Sequence, residues 1–341
     1  MKKSIIYFVI LVFSISLISC FPDIDEEPVE VNVEEESTFE SSYNIYTNST
    51  FYKINETYSE LILNHKIGGW DLAFQSALEG DFVLINYTVD AKVIKTGTEE
   101  FSAVDKEMFN ELYNSDDWKF NSPSFSNVKD SLALKDWESK EVYLVNRGGV
   151  VPPEESIYKI QFVSKTATSY TFKYANVGSS EVIEKTVGKD ANYVNQYFSF
   201  ETDDIVNFEP QIDNWDFFFT PYSGWYETNT PGLYLPYYLK GVMINNEGGV
   251  RVAKIDDENI AYEDIDLVFA QTQSFTDFKG VIGSTWKKIP DDVNPVYYMD
   301  TAKKYIVKSI EGKYFKLRFL DYYSTENAEV GFPSFEILLL E

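Results

Sequence analysis

Residues 70–74 read WDLAF and residues 215–219 read WDFFF, so a tryptophan stands directly before an aspartate and an apolar run twice in the chain. Large aromatic side chains dominate protein interiors, and an aspartate at a strand start can hold backbone donors. We therefore expect both tryptophans to be core residues, with Asp71 and Asp216 fixing the backbone beside them.

Further features recur in the same order after each Trp-Asp pair. Both halves supply an apolar strand ending in Ile-Asn, a basic strand, a segment with a central phenylalanine, a tryptophan and a final pair of strands. The matched segments are residues 82–97 and 241–256, TEEFSAVD (98–105) and TQSFTDFK (272–279), Trp118 and Trp286, and residues 143–164 and 305–324. This shared order favours a duplication with loops of different length. We predict a first β unit over residues 41–200 and a second over residues 201–341.

Alternation of apolar and polar residues predicts strands over most of the chain after residue 41. The clearest examples are YKIQFV (158–163), YTFKYA (170–175), KYIVKSI (304–310), YFKLRF (314–319) and FEILLL (335–340). Helical periodicity is rare, and residues 105–113 form the main helix candidate. We predict a mainly β protein with antiparallel sheets and few short helices.

The composition is that of a globular protein with a strong negative charge. Of 341 residues 44% are hydrophobic, enough for a sizeable core, while 29 basic against 55 acidic residues give a formal net charge of −26. Such a surface repels the phosphate backbone of nucleic acids. We therefore expect no nucleic-acid partner.

Residues 1–19 have the pattern of a secretory signal peptide, with two lysines before an apolar run over residues 5–18. The run is too short for a spanning helix, which needs ~20 apolar residues. Residues 17–20, LISC, resemble a bacterial lipobox, in which cleavage before Cys20 leaves the thiol to be lipidated. An ordinary signal peptide with an incidental cysteine is the alternative.

Residues 20–40 are expected to form a flexible acidic tether. Nine acidic residues and no basic one lie between residues 23 and 40, and such a segment repels itself into an extended chain. It resembles the acidic leader that directs lipoproteins of Bacteroidetes to the outer face of the outer membrane. A charged linker without an address function is the alternative.

Several longer segments carry a family resemblance. They are WDLAF (70–74) with FVLIN (82–86), NWDFFFTPY (214–222), YLPYYLKGVMIN (234–245), FTDFKGVIGSTW (275–286), YIVKSIEGKYFKLRF (305–319) and GFPSFEILL (331–339). On these segments the sequence resembles the HmuY-like haem-binding lipoproteins of Bacteroidetes, over most of residues 60–341. The resemblance implies an all-β fold that grips haem at one end between projecting hairpins.

The same resemblance implies a function and a location. It indicates a non-catalytic, haemophore-like protein that is lipid-anchored in the outer membrane at the cell surface. Such a protein takes haem or a related porphyrin and passes it to an outer-membrane receptor. Haem would be bound without a covalent link to the chain.

The supply of iron ligands departs from the resembled family. A bis-ligated haem needs two facing donors, usually His or Met. Many members of the family carry a histidine just after the WD-x-A-F core, whereas Gln75 and Thr220 stand at those places in this chain. The nature of any metal site therefore stays open.

Three residues remain as candidate iron ligands. His65 lies five residues before WDLAF, at a predicted loop or strand end, and a surface or turn histidine is the alternative. Met243 lies in an apolar strand, where a core role is the alternative because methionine fills irregular gaps. Met299 follows two tyrosines in a loop-like setting and is the better methionine candidate, although a core role competes here too.

The aromatic stretch over residues 220–241 is the most suggestive binding segment. It combines many rings with three prolines and three glycines, so we expect a loop that exposes some of its aromatic side chains. Its aromatic residues are Tyr222, Trp225, Tyr226, Tyr234, Tyr237 and Tyr238. Flat apolar surfaces with polar tips suit a porphyrin, a sugar or a protein partner, and a tyrosinate can itself ligate ferric haem.

Two other classes of function compete with haem binding. The first is an adhesion or glycan-binding β module that has lost haem ligation and uses the same aromatic stretch. The second is a hydrolase: one histidine and one cysteine leave little for nucleophilic catalysis, but a carboxylate-pair glycosidase stays open because sequence does not give distances between carboxylates.

Overall fold

A computed structural model of the chain describes residues 37–56, 59–123, 132–149, 156–228, 230–288, 290, 293 and 296–341. Within these ranges the protein is mainly β, with antiparallel sheets and two short helices, so the predicted fold class is confirmed. The strands are β1 (Thr38–Glu40), β2 (Asn48–Ile54), β3 (Ser59–Lys66), β4 (Leu72–Gln75), β5 (Val83–Ile85), β6 (Lys92–Lys95), β7 (Tyr143–Asn146), β8 (Ile157–Lys165), β9 (Ser169–Asn176), β10 (Ile183–Gly188), β11 (Asn195–Ser199), β12 (Asp204–Val206), β13 (Phe217–Glu227), β14 (Tyr234–Ile244), β15 (Arg251–Asp256), β16 (Lys287–Lys288), β17 (Tyr298–Met299), β18 (Lys303–Lys308), β19 (Tyr314–Tyr323) and β20 (Val330–Leu339).

Two short helices occupy equivalent places along the chain. The first, α1 (Lys106–Leu112), follows β6, and the second, α2 (Leu267–Gln271), follows β15. Asp105 and Asp266 cap them by accepting hydrogen bonds from backbone amides of the first turn. The helix predicted over residues 105–113 is confirmed. None of the helices in the described ranges has the length and apolar character needed to cross a membrane.

The same arrangement of sheets occurs twice in the described part of the chain. The four-stranded sheets have the orders β12-β11-β4-β5 and β3-β2-β13-β14, and the five-stranded sheets have the orders β10-β9-β8-β7-β6 and β1-β20-β19-β18-β15. When the two orders are aligned position by position, β4 corresponds to β13 and β5 corresponds to β14. The repeat closes across the chain ends, because β1, β2 and β3 complete the two sheets of the second half.

The described residues belong to one compact unit with three main buried clusters. Each half has a core between its four-stranded and five-stranded sheets, where Phe74 packs on Phe172 with ring centroids 5.2 Å apart and Phe217 packs on Phe335 at 5.7 Å. A third cluster joins the two four-stranded sheets and contains both Trp-Asp tryptophans. We call it the central cluster.

The first Trp-Asp pair is held by a buried polar network. Trp70 is fully buried, and its carbonyl accepts a hydrogen bond of 2.6 Å from the Asn86 side chain. The Asp71 carboxylate accepts one from the Phe200 amide at 2.7 Å and pairs with Arg147 at 2.6 Å. The roles expected for the tryptophan and the aspartate are confirmed here.

The second pair repeats this geometry. Trp215 is fully buried, and its carbonyl accepts a hydrogen bond of 2.8 Å from Asn245. The Asp216 carboxylate accepts from the amides of Ile54 at 2.8 Å and Ile310 at 3.3 Å. The Ile-Asn that ends each apolar strand is therefore part of the same motif as the Trp-Asp, although the two lie far apart in sequence.

Two of the landmarks matched by sequence are offset in the structure. Lys119 bridges to Val93 of β6, and Thr276 bridges to Val252 of β15, so Trp118 corresponds to Phe275 and not to Trp286. Likewise the segment over residues 98–105 leads into α1 and corresponds to the residues before α2. The unit boundaries at residues 41–200 and 201–341 stay a prediction, to which the structure adds that β2 and β3 pair within the sheet of the second half.

Candidate functional site

The aromatic stretch over residues 220–241 is a regular hairpin and not a loop. β13 and β14 pair without a register shift from Phe217 opposite Ile244 to Glu227 opposite Tyr234. Only the first three residues of β13 also pair with β2, so the outer half of the hairpin extends beyond its sheet. Tyr222, expected among exposed rings, is 1% exposed and lies in the central cluster.

The projecting part of the hairpin is anchored to the first half of the molecule. The Ser223 hydroxyl donates to the Asp90 carboxylate at 3.0 Å, and the Tyr238 hydroxyl donates to the Thr88 carbonyl. Thr88 lies in a short 3-10 helix, Tyr87–Val89. Burial and the nearby Asp90 carboxylate raise the pKa of Tyr238, so this phenol stays a neutral donor and the hairpin is held in place.

The outer part of the hairpin carries exposed aromatic side chains on two sides. Trp225 is 39% exposed and lies 5.5 Å from the Phe120 ring. Tyr226 contacts Tyr237 at 5.8 Å between ring centroids. Tyr234 is half exposed at the end of β14, and its pKa is raised by the charge of neighbouring Glu227.

A cleft of about 770 Å³ lies between this hairpin and the first half of the molecule. The hairpin supplies Trp225 and Pro236, which are directly opposite each other in the strand register. The other side is formed by β6, by the end of α1, by residues 116–120 and by residues 132–136. We call it the hairpin cleft.

Aromatic side chains form much of the wall of the hairpin cleft. Trp118 and Phe120 line it from the first half, and they alternate with Lys119, which pairs with β6 through its backbone. Residues two apart in an extended segment point to the same side. The indole nitrogen of Trp118 donates to the Leu112 carbonyl at 3.0 Å, which fixes this ring against α1.

The hairpin cleft is less acidic than the chain as a whole. Three lysines and three aspartates line it, in a protein whose net charge is −26. Lys95 pairs with Glu141 at 3.2 Å and with Asp136 at 3.5 Å. Within the described ranges Lys119 and Lys135 have no ion-pair partner, so two ammonium groups remain available for an anionic ligand.

Tyr143 is the one tyrosine among the described residues that line the cleft, and it is not poised as an anion. Its hydroxyl donates to the Lys135 carbonyl. Burial raises its pKa, and the carboxylates of Glu141 and Asp136 raise it further. At neutral pH this side chain is therefore a phenol engaged with the backbone.

His65 lies away from the hairpin cleft, at the end of β3, where it is half-buried beside Phe208 with ring centroids 5.8 Å apart. Burial lowers its pKa, which a hydrogen bond with the Asn207 backbone partly offsets. Its Nε2 atom is buried and has no hydrogen-bond partner among the described residues. The imidazole is thus neutral, but its free nitrogen faces the interior.

The two methionine candidates lie at separate places, one buried and one partly buried. Met243 is fully buried in the central cluster. Met299 lies in β17 opposite Lys287 and packs against the core of the second half. Neither lines the hairpin cleft.

Of the binding residues suggested by the sequence, the structure brings only Trp225 into the hairpin cleft. Tyr226 and Tyr234 lie elsewhere on the hairpin, and Cys20 is outside the described residues. The sequence analysis missed Phe120, Lys119 and Lys135 as site residues. The alternation Trp-Lys-Phe over residues 118–120 was a visible signal, but its place opposite the hairpin depends on long-range packing.

No group of three or more His, Cys, Asp and Glu side chains that could hold a metal ion occurs in the described ranges. The residues of the hairpin cleft suit the flat ring and the carboxylates of a porphyrin. They do not suit its iron, because none of the described residues that line the cleft is a histidine, methionine or cysteine.

Comparison with known proteins gives a family match over most of the chain. A family model described as HmuY protein matches residues 41–337. No curated protein matches the chain at a significant level.

Two solved structures from Bacteroides are similar over most of their length. One is a candidate HmuY-like heme-binding protein from Bacteroides vulgatus ATCC 8482, with 13% identity, a TM-score of 0.21, and coverage of 88% of this chain and 90% of that chain. The other is a candidate lipoprotein from Bacteroides fragilis NCTC 9343, with 9% identity, a TM-score of 0.21, and coverage of 88% and 89%. Structural similarity at this level does not support a family assignment, which depends on the family model that matches residues 41–337.

Proposed function

The chain belongs to the HmuY family, a family of non-catalytic haem-binding proteins, and from that premise we propose that it binds haem or a related porphyrin in the hairpin cleft. The observation that carries the proposal is the aromatic wall formed from both halves of the molecule. Trp118 and Phe120 come from the first half and Trp225 from the second. These rings offer the flat apolar surface that a porphyrin needs.

The size and charge of the hairpin cleft support the same ligand. Small-molecule sites enclose about 300–1,000 Å³, and this cleft has about 770 Å³. Lys135 would pair with one carboxylate of the ligand, and Lys119 would reach the other through its long side chain from the opposite side of the extended segment. Such pairs at a solvent-exposed rim contribute modestly to affinity, about 0.2–1 kcal/mol each.

We further propose that the protein acts in haem acquisition at the cell surface. Lipidation of Cys20 would anchor it in the outer membrane, and the acidic residues 20–40 would hold the β units away from the bilayer. Because the ligand lies in a cleft and is held without a covalent bond, it could be passed on to an outer-membrane receptor.

A haemin titration of the soluble chain tests the proposal. We expect a saturable shift of the Soret absorbance band in at least one redox state. Trp225→Ala should weaken binding by about tenfold or more, because removal of a central aromatic contact costs about 1.4–2 kcal/mol.

Tyr226→Ala provides the matched control. Tyr226 is adjacent in sequence and 37% exposed, close to the 39% of Trp225, but it does not line the cleft. Its replacement should leave haemin affinity within about twofold. Absence of any Soret shift in both redox states would rule out the haem proposal.

A glycan-binding or adhesion module is the second candidate function. The exposed ring pair of Tyr226 and Tyr237 outside the cleft favours it, since flat aromatic surfaces also suit sugar rings. In that case Tyr226→Ala should weaken glycan binding, with Trp225→Ala having the smaller effect.

A further inference from the structure

We infer that the hairpin cleft recognises the tetrapyrrole ring and its carboxylates rather than the iron, so that a metal-free porphyrin binds as well as haem. This inference rests on the proposed function and names its ligand class: a planar tetrapyrrole dicarboxylate, with or without a metal. The iron would contribute little because no histidine, methionine or cysteine among the described residues lines the cleft.

The chain has few histidine, cysteine and methionine side chains that could ligate iron, and the candidates among them lie away from the cleft. The whole sequence has one histidine, one cysteine and four methionines. His65 and Met243 border or fill the central cluster, and Met299 packs on the core of the second half. A haem in the hairpin cleft would therefore meet none of these three side chains.

Met108 is close in sequence to Leu112, a residue that lines the cleft, but its side chain packs against the sheet. It stands one helical turn before Leu112, which lines the cleft, so the two share a face of α1. On that face Met108 packs against the cluster of Ile94 and Leu144 on the outer side of the five-stranded sheet. It does not line the cleft.

Tyr143, which lines the cleft, is not poised as an oxygen ligand either. The Tyr143 hydroxyl donates a hydrogen bond to the Lys135 carbonyl. The carboxylates of Glu141 and Asp136 disfavour a negative charge on the Tyr143 oxygen. Ligation through a tyrosinate would require both the loss of this hydrogen bond and the formation of a buried anion.

The cleft offers contacts for the parts of a porphyrin that do not depend on its metal, namely the flat ring and the carboxylates. Trp225 and Phe120 are already in contact at 5.5 Å, which provides an apolar aromatic surface on the hairpin side. Lys119 and Lys135 have no ion-pair partner within the described ranges, so they can meet carboxylates. These contacts are the same for haem and for protoporphyrin.

Parallel titrations with haemin, metal-free protoporphyrin and protoporphyrin dimethyl ester test the inference. We expect haemin and protoporphyrin to have dissociation constants within about threefold of each other. The dimethyl ester, which lacks both charges, should bind more weakly. The double variant Lys119→Gln, Lys135→Gln should abolish most of the difference in affinity between protoporphyrin and its dimethyl ester.

Replacement of the potential donors provides a second readout. His65→Gln, Met108→Leu and Met299→Leu should each leave the absorbance spectrum of bound haem and its affinity unchanged. A change of the bound spectrum with any one of them would overturn the inference, because that side chain would then be a ligand.

The outcomes separate this inference from the proposed function. Haemin binding at least about thirtyfold tighter than protoporphyrin binding would overturn the inference and leave the proposed function intact. Failure of both porphyrins to bind would overturn both.

Discussion

At the residue scale, the two Trp-Asp pairs show how a short motif specifies a fold. Their roles could be predicted from sequence because a large aromatic residue next to a polar one has few stable environments at a strand start. The partners Asn86 and Asn245 could be matched as Ile-Asn, but their bonds to the tryptophan carbonyls could not be foreseen. Side-chain pairing over 16 and 30 residues requires the folded sheet.

The two aspartates should differ in their contribution to stability. Asp71→Asn leaves buried Arg147 with only the exposed Glu201 carboxylate at 3.8 Å, and breaking a buried ion pair costs about 3 kcal/mol. Asp216→Asn should cost less, about 1–2 kcal/mol. Its basic neighbour Lys53 pairs more closely with Glu311, at 2.7 Å, than with Asp216, at 3.9 Å. Urea unfolding of the two variants measures both values, and equal losses would contradict this assignment.

A buried lysine gives the protein a pH-dependent stability. Burial and the charge of Lys240 lower the pKa of Lys287 to about 7, and its ammonium group lies 4.2 Å from the Trp286 ring. An unfolded lysine has a pKa of about 10.4, so between pH 7 and 9 the unfolded state binds more protons and stability rises with pH.

Lys287→Met should remove this dependence. The wild-type protein should gain about 2 kcal/mol relative to the variant between pH 7 and pH 9. Urea unfolding at both pH values gives the comparison, and a constant difference between the two proteins would show that Lys287 titrates normally.

At the scale of elements, the hairpin of β13 and β14 is where the sequence analysis differed most from the structure. Three prolines and three glycines predict a loop, yet the strands pair in register over eleven residues each. Pro221 lies two residues after Phe219, the last residue that pairs with β2, and Pro236 lies in the edge strand. Both prolines are tolerated because no further strand needs their missing amide.

Shortening this hairpin should separate folding from binding. The variant deletes residues 225–236 and joins Gly224 to Tyr237, which are paired in register, through an Asn-Gly turn. The anchors Ser223 and Tyr238 remain, so we expect a melting temperature within about 4 °C of the wild type, a change of less than ~1 kcal/mol. Haemin and protoporphyrin binding should be lost, and retained binding would place the site elsewhere.

At the scale of the whole molecule, the fold is a repeat that closes through its own N-terminal strands. The order of landmarks in sequence was sufficient to predict a duplication and a mainly β class. It was not sufficient to assign β1, β2 and β3 to the second half, because strand pairing over more than 150 residues leaves no periodic signal. The offset of Trp286 from Trp118 has the same origin, since both are large aromatic residues in segments of different length.

The N-terminal strands should be essential for the stability of the second half. A chain that starts at Ile67 lacks Phe51, Tyr52 and Ile54, three buried residues of the central cluster and the second core. Since loss of one such side chain costs about 2–5 kcal/mol, we expect loss of cooperative unfolding and strong binding of a hydrophobic dye. A chain that starts at Ser37 is the control and should unfold like the full mature chain.

We propose that the duplicated fold has one composite binding site, the hairpin cleft. The hairpin of the second half is eleven residues on each strand, whereas its counterpart in the first half, β4 with β5, has four and three. The longer hairpin supplies Trp225 and Pro236 to the cleft beside the first half. A repeat of the fold therefore does not imply a repeat of the binding site.

The number of porphyrin molecules bound per chain tests this account most directly. Titration of haemin at protein concentrations well above the dissociation constant, with wild-type protein and Trp225→Ala in parallel, gives both the number of sites and the place of binding. The account predicts one molecule per chain for the wild type and weakened binding for the variant. Two molecules per chain, or one molecule bound with unchanged affinity by Trp225→Ala, would contradict it.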